Sequence, residues 1–232
     1  MSKLEESVSS TKKLAAYVLP FAVFVIGLAL VPAFTNENSS SMLFTNPEFW
    51  IYPLQTLICG LLLVVFWKEY DFGSPRGWRL ALGTGLVVLG IWIAPHLVFG
   101  APARTNGFDP SALRNQSALF TLTIFSRFAR LVIIVPVVEE IFWRGFLMRY
   151  LIREDFTGVR IGTFQWKAFL LVALAFMLVH RMADWPAAFL CGLAYNLIVI
   201  RTGSLGACIL AHSLTNLGLG FYIMATSQWG FW

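Results

Sequence analysis

Seven stretches of predominantly apolar residues follow one another along the chain, at 14–34, 47–67, 80–99, 117–148, 168–180, 185–200 and 205–224. A helix needs roughly 20 such residues to cross a hydrocarbon core. Most of the stretches meet that length, the fourth exceeds it and the fifth falls short. The fold class this implies is all-α, a polytopic membrane helix bundle of about seven to eight transmembrane helices in a single integral-membrane domain over residues 1–232. Only 12% of the residues are charged, against about a quarter in soluble domains, which excludes a water-soluble globule. The 21 Phe and 9 Trp exclude an intrinsically disordered chain.

The net charge of +5 does not point to nucleic acid, because the basic residues lie between the apolar stretches rather than on one face. Their distribution instead sets an orientation. With the N-terminus in the cytoplasm, the cytoplasmic loops hold Lys3, Lys12, Lys13, Lys68, Arg76, Arg79, Arg149, Arg153, Arg160, Lys167 and Arg201, and the opposite loops only Arg104, Arg114 and Arg181. Arg127 and Arg130 fit neither group. They suggest an interfacial helix over 111–130 ahead of a span starting near Leu131, or side chains that snorkel. The first stretch is longer than a signal-peptide core and reads as a retained anchor. Cys59, Cys191 and Cys208 are odd in number and lack ligand spacing, so they read as small buried hydrophobes.

Ionisable groups inside apolar spans cost about 2.5–3.5 kcal/mol each for Asp, Lys or Arg on insertion scales, and a chain that keeps them usually uses them. Glu139 and Glu140 end the run 131–138. Adjacent helical residues point about 100° apart, so the two carboxylates cannot share a role. Arg144, four residues after Glu140, is placed to pair with it and fix its rotamer, leaving Glu139 to face a cavity. His180 follows Phe176 by four residues, and Asn216 follows His212 by four. Each alone is a weak signal, equally consistent with a packed histidine or with hydrogen bonding between helices. Together, a carboxylate, two imidazoles and a carboxamide from three spans can meet only inside the bundle. Glu and His can activate water, and His and Asn can donate to an oxyanion. Glu139, His180 and His212 are also the residues that could hold a divalent metal such as zinc, although no His-Glu-x-x-His signature is present. His96 reads as interfacial.

In order and spacing, Glu139-Glu140-Ile-Phe-Trp-Arg144-Gly145, Phe176-Met-Leu-Val-His180, Phe189-Leu-Cys-Gly192 followed by Arg201-Thr-Gly-Ser-Leu205, and His212-Ser-Leu-Thr-Asn216 resemble the motifs of the CPBP family. These are the CAAX prenyl protease and bacteriocin-processing (Abi) intramembrane proteases. The resemblance covers about 132–217, and the wording is similar to the branch linked to PEP-CTERM/exosortase systems. It implies an intramembrane endopeptidase, of glutamate or metallo type, in which Glu139 and His180 activate water, Glu140 orients Arg144, and His212 and Asn216 stabilise the oxyanion. Where the family often has a second glycine in its third block, this chain has Asn196, which can instead add a polar group to the cavity. The implied partners are the lipid bilayer and a membrane-protein or lipidated-peptide substrate, with no nucleic acid, and the expected location is a bacterial inner membrane. A non-catalytic immunity or scaffold protein of the same fold, or a transporter, is the competing expectation; the chain has no repeats of the kind a transporter would show.

Depths along the helices pose a geometric question. At 1.5 Å per residue, Glu139 lies ~15 Å from Arg149, His180 ~20 Å from Lys167 and His212 ~10 Å from Leu205. Helix tilt has to reconcile them.

Overall fold

The computed structural model describes residues 3–232, with side chains from residue 11 onward. The helices are α1 (Lys3–Phe34), α2 (Glu48–Val65), α3 (Trp78–Leu97), α4 (Ser117–Tyr150), α5 (Trp166–Leu178), α6 (Trp185–Thr202) and α7 (Leu205–Thr226). Six of these stretches are long and apolar enough to cross a membrane, and α5, with 13 residues, is the shorter one. The helix surfaces carry the expected inversion. Apolar side chains such as Leu57 (65% exposed) and Val64 (73%) face outward, while Glu140 and Arg144 are 0% exposed. The chain is a multi-pass helical membrane protein.

It packs as two compact units, residues 1–70 with 110–130, and residues 71–109 with 131–232. In the first unit α1 lies against α2. Pro20 interrupts α1 and has no N–H to give the Ala16 carbonyl four residues back; the Tyr70 hydroxyl donates to that carbonyl instead, at 3.1 Å. Burial raises the Tyr70 pKa above its ordinary value, so the phenol stays a donor. Arg127 and Arg130 are buried here rather than snorkelling. Arg130 Nε donates to Gln55 Oε1 at 2.9 Å, both guanidiniums lie over the Tyr52 ring, and Gln55 in turn donates to the Phe24 carbonyl. No separate interfacial helix precedes residue 131. Residues 117–130 run directly into the rest of α4.

In the second unit α3 packs along α7 and α5 along α6, with α6 also touching α3 and α7. Gly192 permits the α5–α6 approach, since a Cβ there would stand 3.1 Å from the Ala173 Cα. At one end of the unit the loops 71–77, 159–162 and 203–204 meet. Ser74 N donates to Gly203 O, Leu205 N to Phe72 O, and Gly73 bridges Ser204. At the other end 101–109, 181–184 and 227–232 meet. Gly230 N donates to Arg104 O, Arg104 pairs with Asp184, and Arg181 Nη1 donates to Gly230 O.

Helix α4 is not uniformly α-helical. It widens into π-turns at Arg130–Ile134 and Ile141–Leu147, which frame the segment Val135–Glu140. The first π-turn has a cause in Pro136, whose ring would collide with the carbonyl four residues earlier in a regular helix. The second contains Gly145, whose carbonyl accepts Arg149 Nε at 2.5 Å.

Candidate active site

The two adjacent glutamates are sorted as the helical period requires. Glu140 faces inward. Arg144 Nη1 donates to both of its oxygens at 3.0 Å, His212 Nδ1 lies 2.9 Å from Oε1, and Cys208 Sγ donates to Oε2 at 3.0 Å. Arg144 spends its other donors on Asn196 Oδ1 (2.8 Å, through Nε) and the Gly192 carbonyl (3.1 Å, through Nη2). Its guanidinium also lies over the Phe176 and Tyr195 rings. A buried charge pair repays its desolvation only with further hydrogen bonds, and here Asn196, Gly192, His212 and Cys208 supply them. Asn196 completes the network by donating to the Phe169 carbonyl at 2.8 Å, which ties α4, α5 and α6 together. It does not line the cavity. It is the residue that holds Arg144, a role the sequence does not reveal. Cys208 likewise does more than fill space.

Glu139 points the other way. It makes no hydrogen bond or ion pair with the described residues and lines a cavity of about 240 Å³ together with His180, His212 and Asn216. Both imidazoles are within electrostatic reach of its carboxylate. A polar space of this size has room for several waters. Cys191, Tyr195, Arg181, Asp184 and Gly230 also line the cavity. All four polar side chains line this one space, so their unequal distances from the helix ends do not keep them apart. His96 is outside it, against Phe231. Phe231 and Trp232, which the sequence reading did not single out, line the cavity as well.

Hydrogen bonds set the tautomers. His180 lies beyond the end of α5, where its Nδ1 is 2.7 Å from the Phe176 carbonyl. A carbonyl only accepts, so Nδ1 carries the proton and Nε2 of a neutral ring keeps its lone pair. The four-residue spacing of Phe176 and His180 is therefore a helix C-cap. It differs from the expected helical span over 168–180 because the side chain satisfies a terminal carbonyl. His212 Nδ1 donates to the Glu140 carboxylate, which can only accept, and its ring packs beside Tyr195 and Phe176. Asn216 Nδ2 donates to the Leu131 carbonyl at 2.9 Å. In a π-turn that carbonyl would take the N–H five residues on, but that residue is Pro136, which has none. Asn216 supplies the missing donor and keeps its second N–H. Tyr195 OH donates to Thr215 Oγ1 at 2.8 Å, and Thr215 to the Gly85 carbonyl at 2.9 Å.

Carboxylate and imidazole donors are of the type zinc takes. Among the described residues, however, no group of three or more His, Cys, Asp or Glu side chains is gathered to hold a metal ion. As arranged, Glu139, His180 and His212 do not fit such a site.

Fold and site together define a multi-pass helical membrane protein with a buried Glu–Arg–His network behind a polar cavity. Residues 119–218 match the family model described as type II CAAX prenyl endopeptidase Rce1-like, and the match supports the CPBP/CAAX protease family. All six site residues fall inside the matched region, which covers less than half of the chain. No curated protein and no solved structure matches the chain.

Proposed function

We propose that the chain is an intramembrane endopeptidase that hydrolyses a peptide bond near the membrane-proximal end of another membrane-anchored protein. The supporting observation is that Glu139, which makes no hydrogen bond or ion pair among the described residues, shares a single cavity with His180, His212 and Asn216. A water between Glu139 and His180 attacks the peptide carbonyl carbon, Glu139 takes its proton, and the carbonyl electron pair moves onto oxygen. The second Asn216 N–H and His212 Nε2 donate to that oxyanion. For Nε2 to donate, the ring carries both protons, and Glu140 is the counter-ion it faces. When the C–N bond breaks, the proton held by Glu139 passes to the leaving nitrogen and the C=O re-forms. Glu140, Arg144 and Asn196 do not touch the reacting atoms; they position His212.

The host membrane in this reading is a bacterial inner membrane with the N-terminus in the cytoplasm. The test is a comparison of membrane proteomes from cells carrying the wild-type chain and Glu139→Ala. An uncut precursor should accumulate only with the variant, and identical proteomes would remove the hydrolytic reading.

A further inference from the structure

The two ends of the second unit differ sharply in charge. The end where 71–77, 159–162 and 203–204 meet carries or adjoins Arg76, Arg79, Arg149, Arg153, Arg160, Lys167 and Arg201, and the other end only Arg104 and Arg181. Loops this short carry their basic excess on the cytoplasmic side. The cavity belongs to the other end. Its lining includes His180, Arg181, Asp184 and Gly230 from that end and no residue from the basic end's loops. A second cleft, lined by Arg104, Thr105, Asn106, Arg181, Ala183 and Gly230, shares Arg181 and Gly230 with it and lies at the same end.

Helix length gives an independent reason for the asymmetry. Helix α5 begins beside Lys167 at the basic end and runs for 13 residues, about 20 Å at 1.5 Å per residue. The hydrocarbon core is about 30 Å thick. The helix therefore stops ~10 Å short of the far interface, and residues 179–184 cover the rest without α-helix. Non-helical backbone at membrane depth is tolerated where it is buried or lines a water-filled space, and His180 and Arg181 line the cavity there.

We infer that the cavity opens to the extracytoplasmic side of the membrane. Resting on the hydrolytic reading, this gives the substrate class: a membrane-anchored protein whose scissile segment lies in or just beyond the outer half of the bilayer. A lipidated tail presented from the cytoplasm lies on the wrong side.

The orientation can be tested without turnover. Thr105 and Asn106 are exposed at the cavity end, Thr157 and Thr163 at the basic end, and the native cysteines are all buried. Thr105→Cys and Thr157→Cys would be expressed separately in the full chain and treated with a membrane-impermeant maleimide in sealed spheroplasts. Thr105→Cys should be labelled, and Thr157→Cys only after permeabilisation. Asn106→Cys and Thr163→Cys repeat the measurement, so that one misfolded variant cannot decide it. The reversed pattern, or equal labelling of both ends in sealed spheroplasts, overturns the inference. Glu139→Gln must leave the labelling unchanged, which separates a failed orientation from failed hydrolysis. A precursor that accumulates with Glu139→Ala should prove to be cut on the extracytoplasmic side of its anchor.

Discussion

Changing Glu139 and Glu140 to glutamine, one at a time, should give opposite outcomes although the residues are neighbours. Glu140 is 0% exposed and accepts from Arg144, His212 and Cys208, while Arg144 is also 0% exposed. Removing one member of a buried ion pair costs about 3–5 kcal/mol, because the other charge is left uncompensated. Glutamine keeps one acceptor oxygen for Arg144, so Glu140→Gln should fall at the lower end, ~3 kcal/mol. At ~2–4 °C per kcal/mol for a chain of this size, the melting temperature should drop by ~6–12 °C. Glu139 has no hydrogen bond or ion pair among the described residues to lose, so Glu139→Gln should change stability by no more than ~0.5 kcal/mol, about 2 °C. The same variant should lose activity by the ~10²–10⁴-fold that a general base contributes. Thermal unfolding of the detergent-solubilised chain, followed by the fluorescence of its 9 tryptophans, measures both. The division of roles is refuted if Glu140→Gln melts within about 2 °C of wild type while Glu139→Gln is the variant that falls.

Two further outcomes concern the packing behind the cavity. Asn196→Leu takes an acceptor from a buried guanidinium and a donor from the Phe169 carbonyl, and should cost about 2–3 kcal/mol in the same unfolding assay. Gly192→Ala would press a methyl group against the Ala173 backbone at 3.1 Å; a loss of about 1–3 kcal/mol is expected from overpacking, and an unchanged melting temperature would show that α5 and α6 can separate freely.

The spanning helices were readable because length and apolarity leave few alternatives. The stretches expected at 185–200 and 205–224 became Trp185–Thr202 and Leu205–Thr226, differing only at one end. The polar residues were readable for the complementary reason that nothing in an apolar span accounts for them. What escaped the reading depends on partners distant in sequence. The end of α5 at Leu178 carries no glycine or proline stop signal, since His180 itself supplies the cap. The π-turns have only Pro136 and Gly145 as traces. The partner that gives Asn196 its role, Arg144, lies 52 residues earlier on another helix, and Phe231 and Trp232 reach the cavity only through the fold of the segment after α7.

The thirteen residues of α5 also bear on the surrounding lipid. The α-helical part falls ~10 Å short of the hydrocarbon layer and residues 179–184 complete the crossing; local thinning of the bilayer would shorten that stretch at a cost of fractions of a kcal/mol per Å. Where the bilayer thins beside α5, a neighbouring polypeptide crosses less oil and meets water sooner. The same deficit favours residence in thin membranes over thick ones.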